Sequence, residues 1–280
     1  MKLEYSVEEM VKTRYSVRTY TDQPISAQVI EQINAYINKL SNPFSKKVNF
    51  SILETRNSSK SEKLGTYGVI KGSTNYIGAT VAKEEMALEA LGYEFEKLVL
   101  YLASLNLGTC WLGGTFNRNS FANALEVNEN EIFPIISPFG YAANKKRFAD
   151  SLVRKIAKSD QREPWNKLFF NKEYETVLTQ EEAGAYAFAL EMVRLAPSAS
   201  NKQPWRIIKD GSTFHFYEEK AKGYSDRFSY DIQSIDLGIA ACHFHLPVLE
   251  KDLSGKFKIV KTPEIVVPEN YIYSFSWISV

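Results

Sequence analysis

The chain lacks the features that would commit it to a membrane, a disulfide framework or a nucleic acid. Only two of its 280 residues are cysteines, Cys110 and Cys242. Each sits in an apolar helical or turn context, so a disulfide framework is not expected and two buried free thiols are. No uninterrupted apolar run approaches the ~20 residues a membrane-spanning helix needs. The opening Met1-Lys2-Leu3-Glu4-Tyr5 carries charge early and has no apolar leader, so a cytoplasmic location is expected. Neither sign of charge is in excess: 34 Lys and Arg stand against 33 Asp and Glu, a net charge of +1, which gives no general pull towards nucleic acid or lipid. Histidine is scarce, with His215, His243 and His245 alone. His243 and His245 are two apart on a helix and do not share a face, and no Cys or carboxylate cluster has ligand spacing, so no metal site is expected. There is no Gly-x-Gly-x-x-Gly after a strand, no Walker loop and no Ser/His/Asp order. The 16 tyrosines and 17 phenylalanines do not interleave with a basic stripe, which leaves single-stranded nucleic-acid binding unsupported.

What is present is a well-provisioned core. Hydrophobic residues make up 44% of the chain, and its length suffices for one large domain or two smaller ones. Residues 6–12 read as a short helix. Ser26 is an N-cap for a helix over 27–40, and 48–54 and 76–81 read as strands. Residues 57–61 form a polar loop. The strongest helix spans 84–106, with Leu88, Leu91, Phe95, Leu98, Leu102 and Leu105 at helical spacing. Apolar residues cover so much of it that a buried central helix is expected, ending at Gly108 as C-cap. A short helix follows over 120–125. The strand over 132–141 holds two prolines and so should lie at an edge or carry a bulge. The charged stretch 150–162 reads as a linker.

Three stretches carry chemistry. Arg14-Tyr15-Ser16-Val17-Arg18 puts two guanidinium groups and a hydroxyl on one side of an extended segment, a pattern suited to phosphate or another anion. Asn106-Leu107-Gly108-Thr109-Cys110-Trp111-Leu112-Gly113-Gly114 lets a backbone come close to a flat ligand, because its glycines carry no side chain. Pro197-Ser198-Ala199-Ser200-Asn201-Lys202-Gln203-Pro204-Trp205 is dense in hydroxyl and amide groups, stiffened by two prolines and closed by a large apolar anchor. Taken singly, the first would pass for a solvated basic turn and the last for a polar loop leaving a helix.

Together these stretches resemble the FMN-dependent nitroreductase family, with its Arg-x-Ser-x-Arg opening, its Pro-Ser-x-x-Asn-x-Gln-Pro-Trp loop and its glycine turn. The resemblance implies an α+β fold of mixed, mainly antiparallel sheets flanked by helices, with the long central helix at a dimer interface. It implies FMN as cofactor, and NAD(P)H and a flat acceptor such as a nitroaromatic or quinone as partners. Arg14 and Ser16 would hold the phosphate, helped by Lys146 or Arg147, and Arg18 would sit at the N1/O2 edge of the ring. Leu112, Gly113 and Gly114 would offer a backbone N–H towards N5. Pro197, Ser198, Ala199, Ser200, Asn201 and Gln203 would line the ribityl chain and ring. No protein side chain is implied as acid or base, since the flavin carries the chemistry.

The order of these motifs departs from the family, where the Pro-Ser loop follows the Arg-x-Ser-x-Arg segment within one helix and a turn. Here Asn42-Pro43-Phe44-Ser45-Lys46-Lys47 stands at that position, and the loop is displaced into the second half of the chain. The second half also repeats the first: helix 180–193, loop, strands 206–209 and 213–218, long helix 235–250, strands. Leu91-Gly92 and Leu237-Gly238 occupy the same place in the two long helices. A fused duplication is expected, with halves 1–154 and 155–280, one FMN between them and a chain that works as a monomer. The mirror site would pair Arg162-Glu163-Pro164-Trp165-Asn166 with residues 42–46, with Trp165 and Phe44 filling the ring's place. The closing run 271–280 should add a strand to a sheet, and the opposite half's sheet is one candidate. A rival reading keeps the fold and loses turnover, as a flavin-binding carrier or sensor. A third makes the chain a flavin enzyme tailored to one substrate.

Overall fold

The computed structural model describes residues 4–55, 64–143 and 161–280. The loop expected at 57–61, both Lys146 and Arg147, and most of the 150–162 linker lie outside the described residues.

The first half opens with helices α1 (Val7–Thr13) and α2 (Ala27–Ile37). Ser6 and Ser26 cap them, their Oγ atoms accepting the Glu9 and Val29 N–H groups. Strands β1 (Val48–Glu54) and β2 (Asn75–Ala82), helix α3 (Ala87–Ser104), strand β3 (Gly108–Thr109), helix α4 (Arg118–Ala124) and strand β4 (Glu131–Gly140) follow. They form a four-stranded antiparallel sheet in the order β1-β2-β4-β3. The second half contains β5 (Phe169–Asn171), β6 (Glu173–Val177), α5 (Gln180–Ala183), α6 (Ala187–Leu195), β7 (Trp205–Asp210), β8 (Thr213–Glu219), α7 (Gln233–Glu250), β9 (Gly255–Lys258) and β10 (Tyr271–Ser279). Its sheet runs β6-β5-β7-β8-β10-β9. The run β7-β8-β10-β9 repeats β1-β2-β4-β3 strand for strand, each with a long helix after its second strand.

Several expectations are corrected. The closing strand β10 does not cross to the other sheet. It pairs with β8 and β9, taking the place that β4 takes in the first sheet. The strand added from outside the repeat is β5, which lies parallel to β7. Strand β4 is interior, and of the two alternatives expected for it the bulge is the one present: the register slips opposite Thr80, where Pro134 sits. Helix α3 does not use Gly108 as its cap. Asn106 takes the left-handed turn at φ 58°, and the Leu107 N–H returns to the Leu102 carbonyl at 2.9 Å. Gly108 serves a different end, since a Cβ there would collide with the Val17 side chain. The helix expected over 180–193 breaks at Gly184, whose φ of 56° and ψ of −130° suit no L side chain.

The core sits where α3 and α7 cross. Both helices are buried on nearly all sides, as an all-round apolar pattern requires. The crossing is reciprocal: a Cβ on Gly92 would strike the Ile235 carbonyl, and one on Gly238 would strike the Glu89 carbonyl. Backbone meets backbone there, and neither helix can yield. Gly238→Ala should therefore cost about 1–3 kcal/mol of stability, the usual range for overpacking a core. A melting curve indistinguishable from the parent's would show that the crossing does not depend on the missing side chain.

Candidate functional site

The Arg14–Arg18 segment is set in place by its apolar residues. Val17 and Tyr20 are buried with Cys110 and Leu112 in a small second core. The Val17 N–H donates to the Thr109 carbonyl at 2.8 Å, and Ser16 bridges Thr109 in parallel. The segment thus runs beside β3, with Arg14 at one end and Arg18 at the other.

Arg14 meets a buried carboxylate. Its side chain is 7% exposed, and Nε lies 3.7 Å from Oε1 of Glu96 on α3, itself fully buried. His243 Nε2 contacts the same oxygen at 2.9 Å, and Trp111 Nε1 donates to Oε2 at 2.9 Å. The other nitrogen of His243, Nδ1, donates to the Met192 carbonyl at 2.9 Å. Met192 is on α6, the helix that delivers the Pro197 loop. Arg18 Nη1 donates to the Ser16 carbonyl at 3.5 Å, while its Nε is buried without a partner.

The loop is held under strain. Ser200, Asn201 and Gln203 adopt φ of 50°, 55° and 48°, a region that side chains avoid unless the surroundings fix it. The fixing bonds come from its own half. The Gln203 N–H donates to Ser198 Oγ at 2.8 Å, and Gln203 Oε1 accepts the Glu163 N–H at 2.8 Å. Arg162 donates to Asn201 Oδ1 and the Leu195 carbonyl, both at 3.2 Å. The Ala199 N–H donates to Asp236 Oδ1 at 3.0 Å, and Tyr224 donates to Ser200 Oγ at 2.9 Å. Burial raises Asp236 from its ordinary 3.8 to about 8, against the pull of the Ala199 N–H.

The glycine turn is covered from the second half. A Cβ on Gly113 would meet Ile232, and one on Gly114 would meet the Arg227 guanidinium 2.9 Å away. Arg118 pins the turn by donating to the Gly113 and Pro134 carbonyls at 2.8 and 3.0 Å. Ile232 and Arg227 thus lie against this turn. The Leu112 N–H is also spent, donating to the Ile136 carbonyl at 2.9 Å.

The three motifs are therefore linked by chains of contacts. Arg14 reaches the loop's helix through Glu96 and His243. The loop reaches residues 224–232 through Tyr224, and that segment covers the glycine turn. The mirror arrangement is not formed. Among the described residues, the hydrogen bonds of Arg162 and Glu163 go to the loop of their own half rather than to residues 42–46. Trp165 packs on Phe169, while Phe44 packs on Tyr93, Phe257 and Phe275, so the two aromatics do not share a space. A cleft of about 490 Å³ instead lies along Asn42, Lys46 and Glu94. Sequence reading missed Glu96, His243, Asp236, Tyr224 and Arg227. An acid inside an apolar helical run was the available signal for Glu96 and Asp236; Arg227 carried none.

The fold is that of the nitroreductases, an α+β arrangement of mainly antiparallel sheets and helices. A family described as "Putative TM nitroreductase" matches residues 6–248, and the chain belongs to it. The solved "putative nitroreductase" of Thermotoga maritima MSB8 superposes with a TM-score of 0.63 at 22% identity, covering 99% of this chain and 95% of that one. A nitroreductase family protein of Clostridium novyi NT gives 0.43 at 21% identity, over 51% of this chain and 90% of its own. A nitroreductase of Bacteroides fragilis NCTC 9343 with bound FMN gives 0.41 at 19%, over 51% and 92%. No curated protein matches the chain significantly.

Asp236 supplies a test of how the loop is anchored. Its folded pKa is raised, so the native state holds a proton that the unfolded chain releases above about pH 4. That contribution is full below pH 4 and is lost as pH rises towards 8. Asn at this position can still accept the Ala199 N–H but cannot ionise. The melting temperature of the parent should fall relative to that of Asp236→Asn between pH 5 and 8. Glu89 and Glu218, raised by burial to about 7 and 8, are common to both proteins and cancel. Parallel curves would contradict the burial of a protonated Asp236.

Proposed function

We propose that the chain is an FMN-dependent oxidoreductase whose single flavin lies between two halves that imitate a dimer. One observation carries the reading: Arg14, the strained Ser198–Gln203 loop and the Gly113–Gly114 turn, far apart in sequence, are joined by short chains of contacts. The repeated strand order and the reciprocal glycine crossing support the pseudo-dimer.

The residues fit the group in their chemistry. Arg14 and Ser16 would hold the phosphate, which carries roughly two negative charges. The orphaned Nε of Arg18 needs an acceptor, and a flavin's pyrimidine edge offers one. Ser198 accepts the Gln203 N–H but keeps its own hydroxyl proton to donate to the ribityl chain. With the Leu112 N–H spent, the donor role in the turn falls to Gly113 or Gly114. Arg118 fixes the Gly113 carbonyl, and the planar peptide then fixes the Gly114 N–H on the opposite side. Ile232 and Arg227 would be the residues a flat acceptor meets. Bound FMN would supply hydride transfer at N5, from NAD(P)H to a nitroaromatic or quinone-like acceptor.

The absorbance of the purified protein tests this reading. The expected result is a yellow protein bleached by NADH or NADPH and recoloured by a quinone. A yellow protein that neither nucleotide bleaches would favour a flavin carrier or sensor, and a colourless protein that binds no added FMN would refute the reading.

A further inference from the structure

We propose that Glu96 is a positioning residue for Arg14, held in place for that task by His243 of the opposite half. This rests on the reading of Arg14 as a phosphate clamp. A buried carboxylate beneath a phosphate site would ordinarily be repulsive. The geometry removes the difficulty. The Met192 carbonyl can only accept, so Nδ1 of His243 must be a donor. The 2.9 Å contact between Nε2 and Glu96 Oε1 then requires one further proton between those two atoms. Whichever atom holds it, the Glu96–His243 pair is neutral as a whole. Arg14 keeps its full positive charge, and the cluster of three carries a net +1.

The pair also aims that charge. Trp111 anchors Oε2 and His243 anchors Oε1, so the carboxylate cannot rotate away. Arg14 approaches through Nε, its inner guanidinium nitrogen, at 3.7 Å. The two terminal nitrogens lie outside this contact and remain for an anion. An otherwise mobile side chain is thereby held before the anion arrives, which lowers the ordering cost of binding. Since His243 comes from α7 and Glu96 from α3, the clamp forms only when the two long helices are correctly crossed.

A double-mutant cycle on the full chain separates this role from a structural one. FMN affinity is measured for the parent, Arg14→Ala, Glu96→Gln and the double variant, each checked for a cooperative melt. Arg14→Ala should weaken FMN about ten- to a hundredfold, the range for a charge-assisted hydrogen bond. Glu96→Gln should weaken it about tenfold in the parent and not at all in the Arg14→Ala background. Should Glu96→Gln fail to fold, Glu96→Asp, which keeps the carboxyl group but withdraws it by one methylene, enters the same cycle with the same expectation. Equal weakening in both backgrounds, or none in the parent, would overturn the positioning role while leaving the clamp intact. FMN affinity unchanged by Arg14→Ala would overturn the clamp itself, and the positioning role with it.

Discussion

Everything in this structure hangs on the contact between α3 and α7, where two helix backbones touch because Gly92 and Gly238 have no side chains. Each glycine forfeits about 0.5–1 kcal/mol of helix propensity relative to alanine. In return the helices approach closely enough to be buried by each other and by both sheets. The crossing fixes which residue of α3 faces which residue of α7. Glu96 meets His243 for that reason, and Arg14 is drawn in behind them.

The same crossing exposes an asymmetry. Glu96 stands one turn after Gly92, and Cys242 stands one turn after Gly238. The next residues are Lys97 and His243. A carboxylate and an imidazole therefore meet one turn past the crossing, and the corresponding pair of residues is a thiol and an ammonium. Burial raises Cys242 well above its usual range and lowers Lys97. The strand order repeats, but the chemistry at the crossing does not.

The sequence made much of the fold legible through local rules. The serine cap of α2, the central helix and most strands followed from hydroxyl–amide capping and apolar period. The misreadings arose where tertiary contacts decide. Gly108 looked like a helix stop but exists to admit Val17. The run 180–193 has an unbroken helical period, yet Gly184 turns the chain there. Strand β10 could have joined either sheet, since strand pairing is not encoded in one strand alone. At the site, the motif residues were legible by type and spacing. Their partners were not: nothing near Arg227 in sequence marks it as the cover of Gly114, and Arg162 was assigned to a mirror site although it holds the Ser198 loop of its own half. Glu96 and His243 are 147 positions apart, and only the packed helices bring them together.

Flavin content per chain is the most direct test of a site assembled once from two unlike halves. FMN released by denaturation would be quantified against protein concentration, on material whose mass in solution is known. One FMN per chain, retained by a monomer, is the expected result. Two FMN per chain, or flavin retained only when a second chain is bound, would contradict it.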